Sequence, residues 1–278
     1  MLERGITLRK IKSAYLIICI TIIFYLILRI SSSLNVFYQT NVNFKNLKPI
    51  LLKSNLSDDD YNIIFEQTGI SKKGILDMQS HPSFVNDILL YQKIYQKPNN
   101  VVTKKMNFIT NQEKVFDEQG KWIPAFKMVP YKNGDIFLTK STSTFGFRHG
   151  HIGIVVDAEK GKVLECIQPF TNSSFLGIGH WTYYPTFKLL RFKDEAMANK
   201  IAQYALNNLE GIPYNILASK YQEPITSTHC SLILWQAFNH FGVDIDPNQG
   251  WIISPEDIAK SPLFDTIQIY GFDPAKPW

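Results

Sequence analysis

Ser227-Thr228-His229-Cys230-Ser231-Leu232-Ile233-Leu234-Trp235 is the stretch on which the reading of this chain turns. Ser227 or Thr228 suits a helix N-cap, because a side-chain oxygen there accepts a hydrogen bond from a backbone N–H that the helix leaves unpaired. Leu234, Ala237, Phe238 and Phe241 follow Cys230 on one helix face, and Gly242 suits a C-terminal cap. Cys230 is thereby expected in a first turn, where orphaned N–H groups and the helix dipole favour a thiolate. A nucleophilic cysteine needs that setting. A free cysteine is also a common small core residue, so position by itself leaves both readings open.

A thiolate nucleophile needs a base, and the base needs a group that orients it. Among the six histidines, His81 and His240 read as surface residues. His229 adjoins the cysteine, but neighbouring helix positions point apart. His180 lies in a Gly-rich aromatic loop and stays open. His149-Gly150-His151 leads into Ile152-Gly153-Ile154-Val155-Val156, and strand alternation puts His151, Gly153 and Val155 on one face. A glycine beside a histidine leaves room for another group to approach. The plainer reading of His149 and His151 is a polar loop edge, and a metal-binding His-x-His lacks a third ligand. In the next strand Val163, Glu165 and Ile167 share a face, with Leu164 and Cys166 on the other. A carboxylate among β-branched residues is costly to bury unpaired, so Glu165 either meets an imidazole one strand away or faces water.

Around these residues the pattern predicts an α+β chain. Ile136–Leu138, His151–Val156, Val163–Ile167 and Phe187–Phe192 are short β-rich runs, with Asp157-Ala158-Glu159-Lys160-Gly161 as a hairpin connection. A helix opens near Asp194 and ends before Gly211. Ser254, Pro255 and Asp257 open a last helix, and 264–270 is a final strand. Strands first, then helices with a late strand, is an α+β order. Upstream, Ser57-Asp58-Asp59-Asp60 caps a helix that ends near Gly69. A second runs from Phe84 to Tyr95 and is closed by Pro98-Asn99-Asn100. Residues 31–55 read as a stalk, and 31–130 as linker and helical extension. Residues 131–278 form the chemical domain.

Ser13–Leu28 is uncharged and almost wholly apolar, and with Ile30 it approaches the roughly 17–25 residues of a spanning helix. No small-x-small cleavage site follows, and no small residue precedes Cys19 as a lipoprotein would require. Residues 1–30 are therefore expected to be a cytoplasmic tip and an uncleaved signal anchor. Of the net charge of +5, +4 falls in these thirty residues, so the body is nearly neutral and nucleic acid is not an expected partner. The basic cluster before the span predicts a cytoplasmic N-terminus and an outward-facing body. Three cysteines do not make a disulfide scaffold, and no structural metal spacing or cofactor motif is present.

Leu209-Glu210-Gly211-Ile212-Pro213-Tyr214, then Thr228-His229-Cys230-Ser231-Leu232-Ile233-Leu234-Trp235, then Gly242-Val243-Asp244-Ile245 resembles the NlpC-like papain-fold cysteine hydrolases. In the parent family the cysteine comes first. Here Gly134-Asp135-Ile136-Phe137 and His151-Ile152-Gly153-Ile154 precede it, an order similar to the circularly permuted YiiX/YebB-like branch. The likeness covers roughly residues 130–270 and implies a permuted papain-like domain with an antiparallel sheet. It implies Cys230 as nucleophile, His151 as base, Glu165 as the orienting group and Tyr214 at a substrate or oxyanion position. The parent Asp-Cys-Ser-Gly is His229-Cys230-Ser231-Leu232 here, so the surroundings of the thiol differ. The implied activity is amide hydrolysis in cell-wall peptides through an acyl-enzyme, without cofactor or metal. Its rivals are a thiol-dependent acyltransferase or ester hydrolase on acyl lipids, suited by Phe170, Phe175, Trp181, Tyr183 and Tyr184, and a non-catalytic wall-binding module.

Overall fold

Ile136-Phe137-Leu138 is apolar at every position, and such a strand is stable only where both faces of its sheet are covered. In the computed structural model this strand, β3 (Ile136–Thr139), lies inside a six-stranded antiparallel sheet. The structure describes residues 2–33, 37–38, 43–97 and 100–278, with side chains of the first helix described over Lys12–Ile27. The sheet order is β10 (Phe264–Tyr270), β9 (Phe187–Phe192), β3, β6 (His151–Asp157), β7 (Lys162–Glu165) and β8 (Ser174–Gly177). Ile136, Leu138, Ile152, Ile154 and Leu164 face one core with α6 (Glu195–Asn208), α7 (Cys230–Asn239) and α8 (Pro255–Lys260). Phe137, Val155, Val163, Phe187 and Leu189 face a second core, filled by α2 (Lys48–Leu51), α3 (Asp58–Thr68), α4 (Lys72–Met78) and α5 (Phe84–Tyr95). The result is an α+β architecture with helices on both faces of the larger sheet.

Register aligns the ends that matter. Tyr270 pairs with Phe187 and Thr139 with His151, and the Thr139 hydroxyl bonds that of Thr186 at 2.8 Å. His151 therefore begins its strand at the same sheet end where β10 finishes. Next to that end a smaller antiparallel sheet runs in the order β1 (Asn100–Lys105), β2 (Thr110–Phe116), β4 (Thr142–Thr144), β5 (Phe147–Arg148).

Several local expectations are met by name. Ser57 with Asp60 and Ser254 with Asp257 form capping boxes, Asp194 caps α6, and Gly69 ends α3 at φ 70°. Others need correction. Residues 31–130 are not only linker and helices, since β1 and β2 fall there and α4 was not anticipated. Leu47 and Leu51, in the stretch read as stalk, are buried in the second core because that sheet face needs a cover. The expected strand Val163–Ile167 ends at Glu165, and α7 stops at Asn239, before Gly242 at φ 73°. Pro98-Asn99 lies outside the described residues. The expected spanning segment falls on α1 (Leu2–Ser33), and the side chains of Leu28 and Ile30 are outside the described set. Among the described residues no helix is long and apolar enough to cross a membrane.

Phe238 fixes α7 onto the sheet, its ring 5.2 Å from that of Phe192 and 5.6 Å from that of Phe264. Phe238→Ala is expected to lower the unfolding free energy by about 3–5 kcal/mol, read from urea titration. A loss below about 1 kcal/mol would show that the helix is held by something else.

Candidate active site

The start of α7 is built differently from the expectation. Its N-cap is His229, extended at φ −144° and ψ 177°. The ring Nδ1 accepts from the Leu232 N–H at 3.4 Å, and its carbonyl accepts from the Ile233 N–H at 3.0 Å. Ser227 and Thr228 do not cap because their hydroxyls are engaged elsewhere, with Gln222 Oε1 at 3.1 Å and Gln236 Oε1 at 2.9 Å. The N–H groups of Cys230 and Ser231 lie in the first turn, where the helix itself supplies no acceptor for them. The His229 Nε2 is buried and has no hydrogen-bond partner among the described residues.

His151 is reached from the other side. Its imidazole is buried at the start of β6 and stacks on Trp181 at 5.4 Å between centroids and 12° between planes. Its Nε2 lies 2.7 Å from Glu165 Oε2, so Nδ1 is the ring nitrogen left for the sulfur. Glu165 is fully buried and does not face water. Trp181 Nε1 donates to its Oε1 at 2.9 Å, and His180 Nε2 lies 3.3 Å from Oε2. The room beside His151 is the gap over Gly153, where a Cβ would come within 2.9 Å of Glu165 Cγ and 2.7 Å of Val163 Cγ1. Lys114, itself buried, donates to the His180 carbonyl at 3.4 Å and sits 3.2 Å from the Tyr184 ring centre. It supports the turn Ile178–Tyr183 that carries His180 and Trp181.

Charge in this group follows from those contacts. Burial pushes the Cys230 thiol up, but the imidazoles of His151 and His229 outweigh it and hold it well below the usual thiol range. Burial disfavours the His151 imidazolium, yet Cys230 and Glu165 raise it to about 9. Burial also raises Glu165, and His151 and His180 bring it down to about 2. The favoured state is thiolate, imidazolium and carboxylate in series. Cys166 differs: burial first, then the charge of Cys230, pushes it up to about 12. All three cysteines are free thiols, so Cys166 and Cys230 are not paired.

Tyr214 also comes to this place. Its backbone bridges Thr228, and burial together with the Cys230 charge raises its phenol. His149 bonds the Thr144 hydroxyl at 2.9 Å through Nε2, and burial lowers its pKa while the nearby sulfur opposes the change. His81 and His240 stay outside, His240 stacking on Tyr204 at 3.8 Å. The structure thus brings together Cys230, His151, Glu165 and Tyr214, and adds Trp181, His180 and the capping role of His229. Trp181 carries no local signal beyond being aromatic. The His229 cap was hidden because histidine is an uncommon capping residue. Among the described residues no group of His, Cys, Asp and Glu is arranged to hold a metal ion. A cleft of about 690 Å³, lined by Lys132, Asp135, Asp157, Arg191 and Glu195, opens at the other end of β6 and does not include the sulfur. Comparison of the chain with family models, curated proteins and solved structures finds no match.

The linkage has a definite sign. Stability from the depressed Glu165 is present above its ordinary 4.5 and is lost as pH falls through about 2. Stability from the raised His151 is present below its ordinary 6.5 and is lost as pH rises through about 9. Alkylation of Cys230 by iodoacetamide is therefore expected to be flat from about pH 6 to 8, with Cys166 unlabelled, where a free thiol would gain nearly tenfold per unit below its pKa of about 8.5. Glu165→Gln should move the Cys230 curve to higher pH, because the imidazolium loses its carboxylate. Superimposable curves would remove Glu165 from the site.

Proposed function

We propose that this protein is a cysteine hydrolase acting through an acyl-enzyme, on a domain related to the permuted papain-like fold. The observation that carries the reading is the buried series Cys230, His151, Glu165, with the sulfur at a helix start and the His151–Glu165 contact at 2.7 Å. A bystander cysteine has no need of an imidazole backed by a buried carboxylate. The amino-acid pattern of the NlpC-like hydrolases, and the antiparallel sheet between helices, agree with it.

The chemistry is as follows. The Cys230 thiolate attacks an amide carbonyl carbon, forming a C–S bond, and the oxyanion is met by the N–H groups at the start of α7. The C–N bond then breaks, and the His151 imidazolium gives its proton to the leaving amine. Neutral His151 takes a proton from water, whose oxygen attacks the thioester and releases the acid and the thiolate. Glu165 orients the ring and favours its charged form throughout. Tyr214 lines the site beside the sulfur.

The apolar run on α1 and the basic residues before it support a membrane anchor with the body outside, which makes amide bonds in cell-wall peptides the leading substrate. Acyl lipids are the second reading, favoured by exposed Phe145, Phe147 and Phe170 close to the His149–His151 segment and Tyr214. Full-length protein incubated with wall peptides or with phospholipids is expected to release product, and brief reaction should leave an acyl mass on Cys230. Cys230→Ala should abolish turnover, and Glu165→Gln should lower kcat by orders of magnitude less. Product from the Cys230→Ala variant at the wild-type rate would end the assignment.

A further inference from the structure

The loops around the His151 end of the sheet carry aromatic side chains that no core uses. Phe108, in the turn between β1 and β2, is 81% exposed, and Phe170, in the loop after β7, is 83% exposed; their rings stack at 6.4 Å. Phe145 and Phe147, on the β4–β5 hairpin, are 62% and 54% exposed. Phe145 and Phe170 hold left-handed backbone angles, φ 52° and φ 69°, which bulky residues rarely adopt.

These loops form one rim. The Phe145 N–H donates to the Ile109 carbonyl at 2.8 Å, Asn107 bonds Gln168 at 3.1 Å, and the Tyr214 N–H donates to the Thr171 carbonyl at 2.9 Å. The rim therefore runs from Phe147, two residues before His149, round to Tyr214 beside Cys230. Lys104 and Lys105 are exposed next to Phe108, and the rim's carboxylate, Glu113, is neutralised by Arg148. A contiguous apolar rim edged by cations matches an anionic lipid surface.

The connection to α1 gives the rim its direction. The Tyr38 N–H donates to the Gly271 carbonyl at 2.9 Å, directly after β10, at the sheet end where His151 lies. Between Ser33, where α1 ends, and Tyr38 the chain spans at most about 18 Å. The backbone of α1 also passes beside β5, on the rim hairpin. A membrane holding α1 would thus lie against the rim and not against the far end of the sheet.

We propose that Phe108, Phe145, Phe147 and Phe170 form a docking surface for an anionic lipid bilayer, so that the Cys230 site meets substrate carried at the bilayer surface. This rests on the anchored reading given above. The test uses the full-length chain reconstituted into vesicles of equal phosphatidylcholine and phosphatidylglycerol. p-Benzoylphenylalanine replaces Phe108, Phe145, Phe147 or Phe170 in turn, positions exposed enough to leave folding intact. It replaces Lys160, in the turn between β6 and β7, as the control. After illumination, mass spectrometry is expected to find lipid adducts at the four rim positions, about tenfold or more above Lys160. Adducts equal at Lys160 and the rim, or rim adducts to a second copy of the chain in place of lipid, overturn the proposal. An alkaline wash of the vesicles reads the anchor separately. A chain that washes off but still gives rim adducts refutes the anchor and keeps the docking surface. A retained chain without rim adducts refutes the docking surface and keeps the anchor, and loss of both refutes both.

Discussion

A fully buried carboxylate, Glu165, is the constraint around which the end of the sheet that holds His151 and Cys230 is arranged. Taking a lone charge out of water costs several kcal/mol even after relaxation, so the fold has to supply donors. It supplies three, from His151, His180 and Trp181. Gly153 keeps the neighbouring strand from colliding with the carboxylate, and Lys114 steadies the turn that delivers two of the donors. Removing any one of these would leave charge unmatched where water cannot reach it.

That arrangement extends to the sulfur. With Nε2 of His151 committed to Glu165, the remaining ring nitrogen is available to Cys230, and the carboxylate keeps the ring charged. The thiolate is then favoured from two directions, by imidazolium and by the first-turn N–H groups of a helix start. His229 contributes by capping α7 through its ring and carbonyl, which fixes where the first turn begins. Cys166, one residue past the end of β7, is buried with its sulfur 4.0 Å from the Thr228 carbonyl and is pushed the other way, to about 12. The surroundings thus drive the acidities of two thiols in one protein in opposite directions.

The sheet supplies the rigidity. Its two faces are both covered, one by α6, α7 and α8 and the other by the helices upstream, so β6 and β7 cannot slip without turning apolar side chains outward. The upstream helices, which carry no chemistry of their own, therefore take part in the site indirectly, by sealing the face on which Glu165 and Trp181 lie. A sheet left open on that side would admit water to the carboxylate and weaken its hold on His151.

Much of this was legible in the sequence, and for local reasons. Alternation put His151 and Gly153 on one face, helical spacing put Cys230 at a helix start, and the capping pairs at Ser57 and Ser254 needed only neighbours three residues on. Each rests on contacts within a few residues, which sequence order fixes. What the sequence left open was whether Glu165 faces water or an imidazole, whether His180 matters, and which residue caps α7. The β1–β2 and β4–β5 strands and the docking of Leu47 were invisible too. These depend on which elements cover a given face, and Trp181 reaches Glu165 only because a turn sixteen residues along folds back over the sheet. Short-range geometry placed Cys230 at a helix start and His151 on a strand, and the family resemblance singled them out; burial, which is a property of the assembled layers, sets which of their charged forms is favoured.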